Sequence, residues 1–379
     1  MSSIQFQIID STLREGDQFA LAHFTLEQKI TIAQLLEDVG IEYIELSNPV
    51  SSPTSLQVTK AITSMVRNSK VLAHVRCHEK DIQAAIAGGV DGVQMLLGVA
   101  THLTEHSHGK NLDQIILAAQ SAIHMGIAAG LETRFSSEDA FRTDRSQIVI
   151  LFSALEDSGV LRFGIPDTTG TATPHQVAEL TADLVSRFRL PLEFHAHNDA
   201  GCAIANTLSF LEAGGRFINT SVLGIGERNG ITPLTSMIGR LYTIDRHLVE
   251  KYQLDKLQEL DSYVASCLGT EIPFDLPLSS PYAFYHRAGI HTKAVLSSSN
   301  TYEIYDVDAF RRQRQIDFSS PISGWHAVTF RIHQLTGRLI ADTVAQSIAS
   351  DMREVASSRS FSPAEADRFI LEKAHVYSI

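Results

Sequence analysis

The 379-residue sequence is poor in several things that would each have fixed its class. It has only three cysteines, Cys77, Cys202 and Cys267, with no Cys-x-x-Cys spacing, so neither a disulfide framework nor a cysteine metal site is expected. No apolar run approaches the roughly 20 residues that cross a bilayer. The opening Met-Ser-Ser-Ile-Gln-Phe lacks the basic and apolar stretches of a secretory leader. Basic residues are outnumbered, 31 Lys and Arg against 43 Asp and Glu, giving a net charge of −12. That balance excludes the basic footprint of a general nucleic-acid binder. No Gly-rich phosphate fingerprint follows the first apolar run, which weighs against dinucleotide binding. Together these absences describe a reducing, cytoplasmic enzyme with no membrane and no nucleic-acid partner.

What is present is regular alternation. Ile4–Ile9, Ile41–Leu46, Val71–Val75, Asp91–Leu97, Leu131–Phe135, Leu161–Ile165, Leu192–His197 and Phe217–Leu223 read as eight short strands. Helical spacing fills the intervals: Leu26, Ile30, Ala33 and Leu36 share a face, and residues 54–67 continue the cycle. Thr25/Gln28, Asn111/Gln114 and Thr173/Gln176 have the spacing of reciprocal helix caps, the last with Pro174 at the first helical position. Eight βα units in about 245 residues predict an α/β fold, a (β/α)8 TIM barrel over residues 1–248. An open doubly wound sheet is the competing architecture. Residues 249–379 lose the alternation and read as a smaller, mainly helical C-terminal region, with helices near 253–267, 335–358 and 363–375 and a Pro-rich passage at Ile272–Pro281.

Barrel chemistry collects at the carboxyl ends of the strands. Those ends carry Asp10 through Gln18, Glu45, His74 and Arg76, Gln94, then Arg134, Ser136 and Glu138, Asp167 and Thr168, and His195 and His197. His195 and His197 stand two apart on one strand, so their imidazoles point the same way and can share a divalent ion with a carboxylate. An HxH pair also arises by chance; the second one here, His106/His108, lies in a Gly/Ser loop and is read as solvent-facing. Adjacent Arg14 and Glu15 would ordinarily be a surface ion pair. Among Asp10, Gly16, Asp17 and Gln18 they read instead as a polar turn, where Glu15 can complete the metal site and Arg14 can face a developing oxyanion.

Four stretches, Asp10-Ser-Thr-Leu-Arg-Glu-Gly-Asp-Gln18, His195-Ala-His-Asn-Asp199, Gly224-Ile-Gly-Glu-Arg-Asn-Gly-Ile-Thr-Pro-Leu234 and His286-Arg-Ala-Gly-Ile-His291, resemble the homocitrate synthase family. Its wider group of metal-dependent acyl-CoA condensing barrels includes isopropylmalate and citramalate synthases. Arg134-Phe-Ser-Ser-Glu-Asp139 and the His74/Arg76 strand are more similar to homocitrate synthase within that group. The resemblance implies a Claisen-type condensation of acetyl-CoA, as co-substrate, with a small anionic 2-oxo acid. Glu15, His195 and His197 would hold a divalent cation, with Zn, Mg, Mn and Co not distinguished. Arg14, Glu138, His291 and Tyr302 are implied as catalytic. Arg14, Gln18, His74, Gln94, Arg134, Ser136 and Thr168 are implied as substrate-binding, and a homodimer is implied in which the partner can supply His291 and Tyr302.

The pattern has departures. Ser47-Asn48-Pro49, Gln94 and Ser320-Pro-Ile-Ser-Gly324 stand where the family usually has Thr-Thr-Pro or Thr-Ser-Pro, Asp, and Ser-Arg-Leu-Thr-Gly. Gln94 in place of Asp implies weak lysine inhibition and room for a more anionic substrate, so 3-phosphonopyruvate, giving 2-phosphonomethylmalate, stands beside 2-oxoglutarate as an expected substrate. A retro-aldol acyl-CoA lyase and a non-catalytic binding relative are the readings of other classes. The first is disfavoured by a 224–230 loop without cysteine, the second by a full set of ligands and bases. Arg311, Arg312 and Arg314 form a basic cluster read as solvated surface, with CoA phosphates as the alternative.

Overall fold

A computed structural model describes residues 4–377; Met1–Ser3, part of the leader reading, lie outside the described residues. Eight parallel strands close into a barrel in sequence order: β1 Gln7–Asp10, β2 Tyr43–Leu46, β3 Lys70–Arg76, β4 Gly92–Leu96, β5 Glu132–Ser136, β6 Phe163–Gly164, β7 Leu192–Phe194 and β8 Phe217–Thr220. Closure is the β1–β8 pairing, with Ile9 opposite Asn219 and Asp10 opposite Thr220. This removes the sheet edges that the open alternative would have left.

The helices follow from local signals. Thr25, Asn111 and Thr173 each form a capping box with the residue three along, and Pro174 occupies the first turn. Helix 26–39 ends at Gly40 with φ of 94°, a left-handed position that glycine occupies without steric cost. The outward faces of the strands and the inward faces of the helices form the apolar layer: Ile32, Leu36, Ile62, Ile115, Leu151 and Leu180 are buried against the barrel wall.

The chain divides into two compact units, residues 1–279 and 280–379, later than the division near 248 expected from the sequence. The reason is helix Leu257–Leu268: Leu257, Leu260 and Val264 are buried, the helix packs against helix 26–39, and Gln253 donates its N–H to the Val39 carbonyl. It belongs to the barrel's outer layer despite lacking a strand of its own.

The second unit is built on helices Trp325–Thr336, Asp342–Ala356 and Pro363–Val376, whose core is Val328, Ile332, Ile348, Met352 and Ile370. Three elements were not expected there: helix Trp325–Thr336, helix Gly289–Ser297, and a two-stranded parallel ribbon of β9 Tyr285–His286 with β10 Gln315–Ile316. A Cβ on Gly289 would lie 2.9 Å from the Gly324 amide nitrogen, so two glycines let the starts of helices 289–297 and 325–336 touch.

Candidate active site at the carboxyl end of the barrel

Side-chain alternation aims every other residue of a strand into the barrel. Glu193, His195 and His197 therefore form one inward column, and Arg134, Ser136 and Glu138 another. All of these except Glu193 line a cavity of about 150 Å³ together with Arg14, Glu15, Gln18, Glu45, His74, Leu96, Thr168 and Asn219. Of the residues expected at the site in the first unit, only Gln94 does not line it.

The segment after β1 is one helical turn, Thr12–Glu15, then a tighter turn at Gly16–Gln18, more regular than the polar turn expected. It is pinned to β8: Ser11 N–H donates to the Thr220 carbonyl, Val222 N–H to Thr12 Oγ1, and the Thr220 hydroxyl to Asp10. Arg14 Nε donates to Glu45 Oε2 at 2.7 Å, and Arg14 Nη1 lies 2.8 Å from Glu15 Oε1. Burial raises the Glu15 pKa, but the Arg14 charge and the His195 and His197 rings outweigh it and hold the group far below the usual carboxylate range. A Cβ on Gly226 would come within 2.6 Å of Glu15 Oε2, so the Gly224–Gly230 loop passes over Glu15 only because residue 226 is glycine.

Glu15, His195 and His197 each offer a ligand atom, all within 4.8 Å of one another, and all three residues are buried. His195 Nε2 is 3.3 Å from Glu15 Oε1, while its Nδ1 is 3.2 Å from Asn219 Oδ1. Burial lowers the His197 pKa to about 3, helped by the neighbouring His195 ring, so the imidazole is neutral at working pH. Its Nδ1 is buried with no hydrogen-bond partner. A neutral imidazole with an orphaned nitrogen beside a second imidazole and an ionised carboxylate is a donor set suited to a divalent ion.

Below the cavity runs a charge network that the sequence reading assembled only in part. Glu45 accepts from Arg14 and the Ser11 hydroxyl and lies 3.3 Å from His74 Nδ1. Glu193, which sequence reasoning missed, is held by Arg134 and Arg162, the latter at 2.9 Å. Gln94 joins the halves: its amide donates to Glu45 and Glu193, both at 3.0 Å. Gln94, expected to contact substrate, does not line the cavity: it is fully buried, and its amide nitrogen donates to two carboxylates. Extending the His195/His197 alternation back by two residues would have found Glu193. Gln94→Glu is expected to lower stability by about 3 kcal/mol at pH 8, since three carboxylates would share one dry site. The deficit should shrink toward pH 5 as the new carboxyl takes up a proton, and denaturant melts at both pH values would show it. A variant as stable as the parent at pH 8 would mean the bridge carries no strain.

Glu138 is aimed by its neighbour. Asp139 sits in a left-handed conformation, φ 56°, and is fixed by His102 at 2.7 Å and by Arg142, while its N–H donates to Thr168 Oγ1. Burial, and then the Asp139 charge, push the Glu138 pKa upward, as a general base requires. His108 is not solvent-facing: its Nε2 donates to the Gly98 carbonyl and its Nδ1 accepts from Lys110 N–H.

The match to a family model described as HMGL-like runs over residues 5–264. A second model, described as homocitrate synthase post-HMGL domain-like, matches residues 279–360. The mitochondrial homocitrate synthase of Schizosaccharomyces pombe is 43% identical, with 97% of this chain and 88% of that protein covered. The chain belongs to the homocitrate synthase family. The cytosolic homocitrate synthase isozyme of Saccharomyces cerevisiae is 42% identical, over 96% of this chain and 85% of that protein. Among solved structures, the Bacillus subtilis HMG-CoA lyase superposes with a TM-score of 0.64 at 22% identity, covering 72% of this chain and 96% of the lyase. At that identity the likeness speaks for the fold alone. The last two expected residues, His291 and Tyr302, lie on the second unit, within the segment matched by the homocitrate synthase model. Their ring centroids lie 4.2 Å apart with the rings tilted by 37°, and both residues are exposed. The arginine cluster is not a free patch: Arg314 grips Glu303 through two nitrogens, and Arg312 donates to the Ser280 carbonyl.

Proposed function

We propose that the protein condenses acetyl-CoA with 2-oxoglutarate and that water then hydrolyses the thioester, giving homocitrate and free CoA. The observation that carries this reading is the charge of the pocket. Beneath and beside it, the carboxylates of Glu15, Glu45 and Glu193 balance the guanidiniums of Arg14, Arg134 and Arg162. A divalent cation on Glu15, His195 and His197 would offset the Glu138 and Glu227 carboxylates that also line this small pocket and would stand with Arg14 and Arg134 as partners for a short dicarboxylate. When bound, that ion supplies Lewis-acid polarisation of a carbonyl. Arg14, held by two carboxylates, presents a guanidinium nitrogen 3.3 Å from His195 Nδ1, beside the place where an alkoxide would form. Arg134, Ser136, His74 and Thr168 provide donors for the distal carboxylate. Glu138, with its raised pKa, takes the methyl proton of the thioester. The paired rings of His291 and Tyr302 return a proton.

The relatives named homocitrate synthase support the 2-oxoglutarate reading. The phosphonate alternative rested on Gln94 touching substrate, and a Gln94 buried beneath the pocket gives it no support. The lyase reading keeps only a shared fold. Steady-state CoA release with 2-oxoglutarate, oxaloacetate and 3-phosphonopyruvate tests the proposal; preference for either of the latter two would overturn it.

A homodimer belongs to the same reading, supported by three isoleucines more than 60% exposed: Ile290 and Ile304, near His291 and Tyr302 in sequence, and Ile322, whose carbonyl accepts from Gly289 N–H. A cytoplasmic location also belongs to it. Among the described residues no helix is long and apolar enough to cross a membrane, and fractionation tests the compartment. A chain ending at Ser279 is expected to fold and bind a divalent ion while losing condensation by about 10³-fold or more. Mixing a His291→Ala protein with a Glu138→Gln protein should restore up to about a quarter of the activity if the sites are shared between subunits. Normal turnover by the shortened chain would remove the second unit from the mechanism.

A further inference from the structure

The loop after β8 closes on itself and then reaches the segments that follow β1, β6 and β7. Its neck is the pair Gly224 and Gly230. A Cβ on Gly230 would collide with the Gly224 carbonyl oxygen, which accepts the Ile231 N–H at 3.1 Å. Toward β1, Glu227 N–H donates to Glu15 Oε2 at 3.2 Å. The next residue, Arg228, is left-handed, with φ of 57°. Glycine takes that conformation without steric cost, so an arginine there is strained and something its side chain does must offset the strain.

The Arg228 guanidinium joins two loops. Nε and Nη2 grip the Asp199 carboxylate at 2.8 and 2.9 Å, and Nη2 also donates to the Thr168 carbonyl at 2.7 Å. The bidentate bond pulls the Asp199 pKa down, so the clasp stays ionised at working pH. Loops 6 and 7 already touch beneath it: a Cβ on Gly170 would lie 2.7 Å from the Asp199 amide nitrogen, and Ala200 N–H donates to the Gly170 carbonyl. Thr168 is thus held from two sides, because its Oγ1 accepts the Asp139 N–H at 3.0 Å. A threonine hydroxyl has one proton and two lone pairs, so one that accepts a backbone N–H keeps its proton for another acceptor. Thr168 lines the substrate cavity and Arg228 does not.

We propose that Arg228 is a positioning residue: by clasping Asp199 and the Thr168 carbonyl, it fixes the backbone from which the Thr168 hydroxyl reaches the distal carboxylate of the 2-oxo acid. The inference rests on the proposed condensation and adds to it a pair of residues, Arg228 and Asp199, outside the cavity. Arg228 is 39% exposed, and an ion pair so open to water contributes little to global stability. Its loss should therefore register in substrate binding before it registers in folding.

The experiment measures both KM values and kcat with the divalent ion saturating. Arg228→Asn is expected to raise KM for 2-oxoglutarate about tenfold; asparagine tolerates the left-handed backbone but is too short for the clasp. KM for acetyl-CoA should stay within about twofold and kcat within about threefold, a split that general loosening of the fold would not give. Arg228→Lys, which keeps the charge but not the planar fork, should recover part of the loss. Asp199→Asn opens the clasp from the other side; it should give an intermediate rise, and it carries the comparison if Arg228→Asn does not fold. In Thr168→Val protein, which lacks the hydroxyl, adding Arg228→Asn should raise KM by less than about twofold, because the effect runs through that group. An unchanged KM for 2-oxoglutarate in Arg228→Asn and Asp199→Asn, or full additivity with Thr168→Val, would overturn the role and leave the condensation standing. A parent protein that releases no CoA from acetyl-CoA with 2-oxoglutarate would overturn the condensation itself, and this role with it.

Discussion

His195→Ala protein, equilibrated with a divalent cation and desalted, is expected to retain less than about one-tenth of the metal bound by the parent and to lose 10²–10⁴-fold in turnover, roughly the several kcal/mol that Lewis-acid polarisation supplies. The physical ground is the donor set. His195 faces Glu15 at 3.3 Å, and removing one of two imidazoles leaves Glu15 and His197 as a two-ligand site. His195 also lies against Arg14 and Asn219, so the variant has a control: Asn219→Ala removes the partner of Nδ1 without removing a ligand. Partners of that kind typically cost 10–100-fold in affinity or activity, well short of losing the ligand. Chelation of the parent should reproduce the His195→Ala loss, and added metal should restore the parent but not the variant. Full occupancy and unchanged turnover in His195→Ala would end the assignment of this centre.

Glu138→Gln should bind both substrates nearly as the parent does while kcat falls about 10²–10⁴-fold, the span of a positioned general base. The pH dependence supplies an independent sign. Burial and the Asp139 charge raise the Glu138 pKa, so the basic form is fully present only above that raised value. Parent activity should therefore decline as pH falls through it, at a higher pH than an ordinary glutamate would give. The Gln variant should show no such limb. Asp139→Asn removes the neighbouring charge and should move the limb toward lower pH, provided Arg142 and His102 still hold the side chain. An acid limb that persists unchanged in Glu138→Gln would assign the proton transfer to another group.

The barrel was legible because its signals are local and repeated. Thr25, Asn111 and Thr173 announce helix starts by hydrogen bonds that span three residues, and the structure forms all three boxes. The same alternation that aims His195 and His197 at one point is a property of an extended chain, so this pair of converging imidazoles could be read from the sequence before any contact was known. Boundaries were harder. Helix 257–268 has no strand before it, and only its burial against helix 26–39 shows that it completes the barrel layer. Helix 289–297 was missed because its short, weakly patterned sequence is held at its start by the touching glycines 289 and 324.

By itself, then, the sequence determined the eight βα units, the strand ends where chemistry collects and the identity of the inward-facing imidazoles, since each depends on residues at most a few positions apart. Tertiary structure alone decided depth and partnership. Gln94 could be placed at a strand end, but only packing shows it beneath the pocket, donating to Glu45 and Glu193, residues 49 and 99 positions away. His108 could be seen in a loop, but only the fold turns its ring into a brace that holds Lys110 beside Glu138. A hydrogen bond between distant strands leaves no periodic trace in the chain, because closing the barrel, not local preference, sets which buried groups meet.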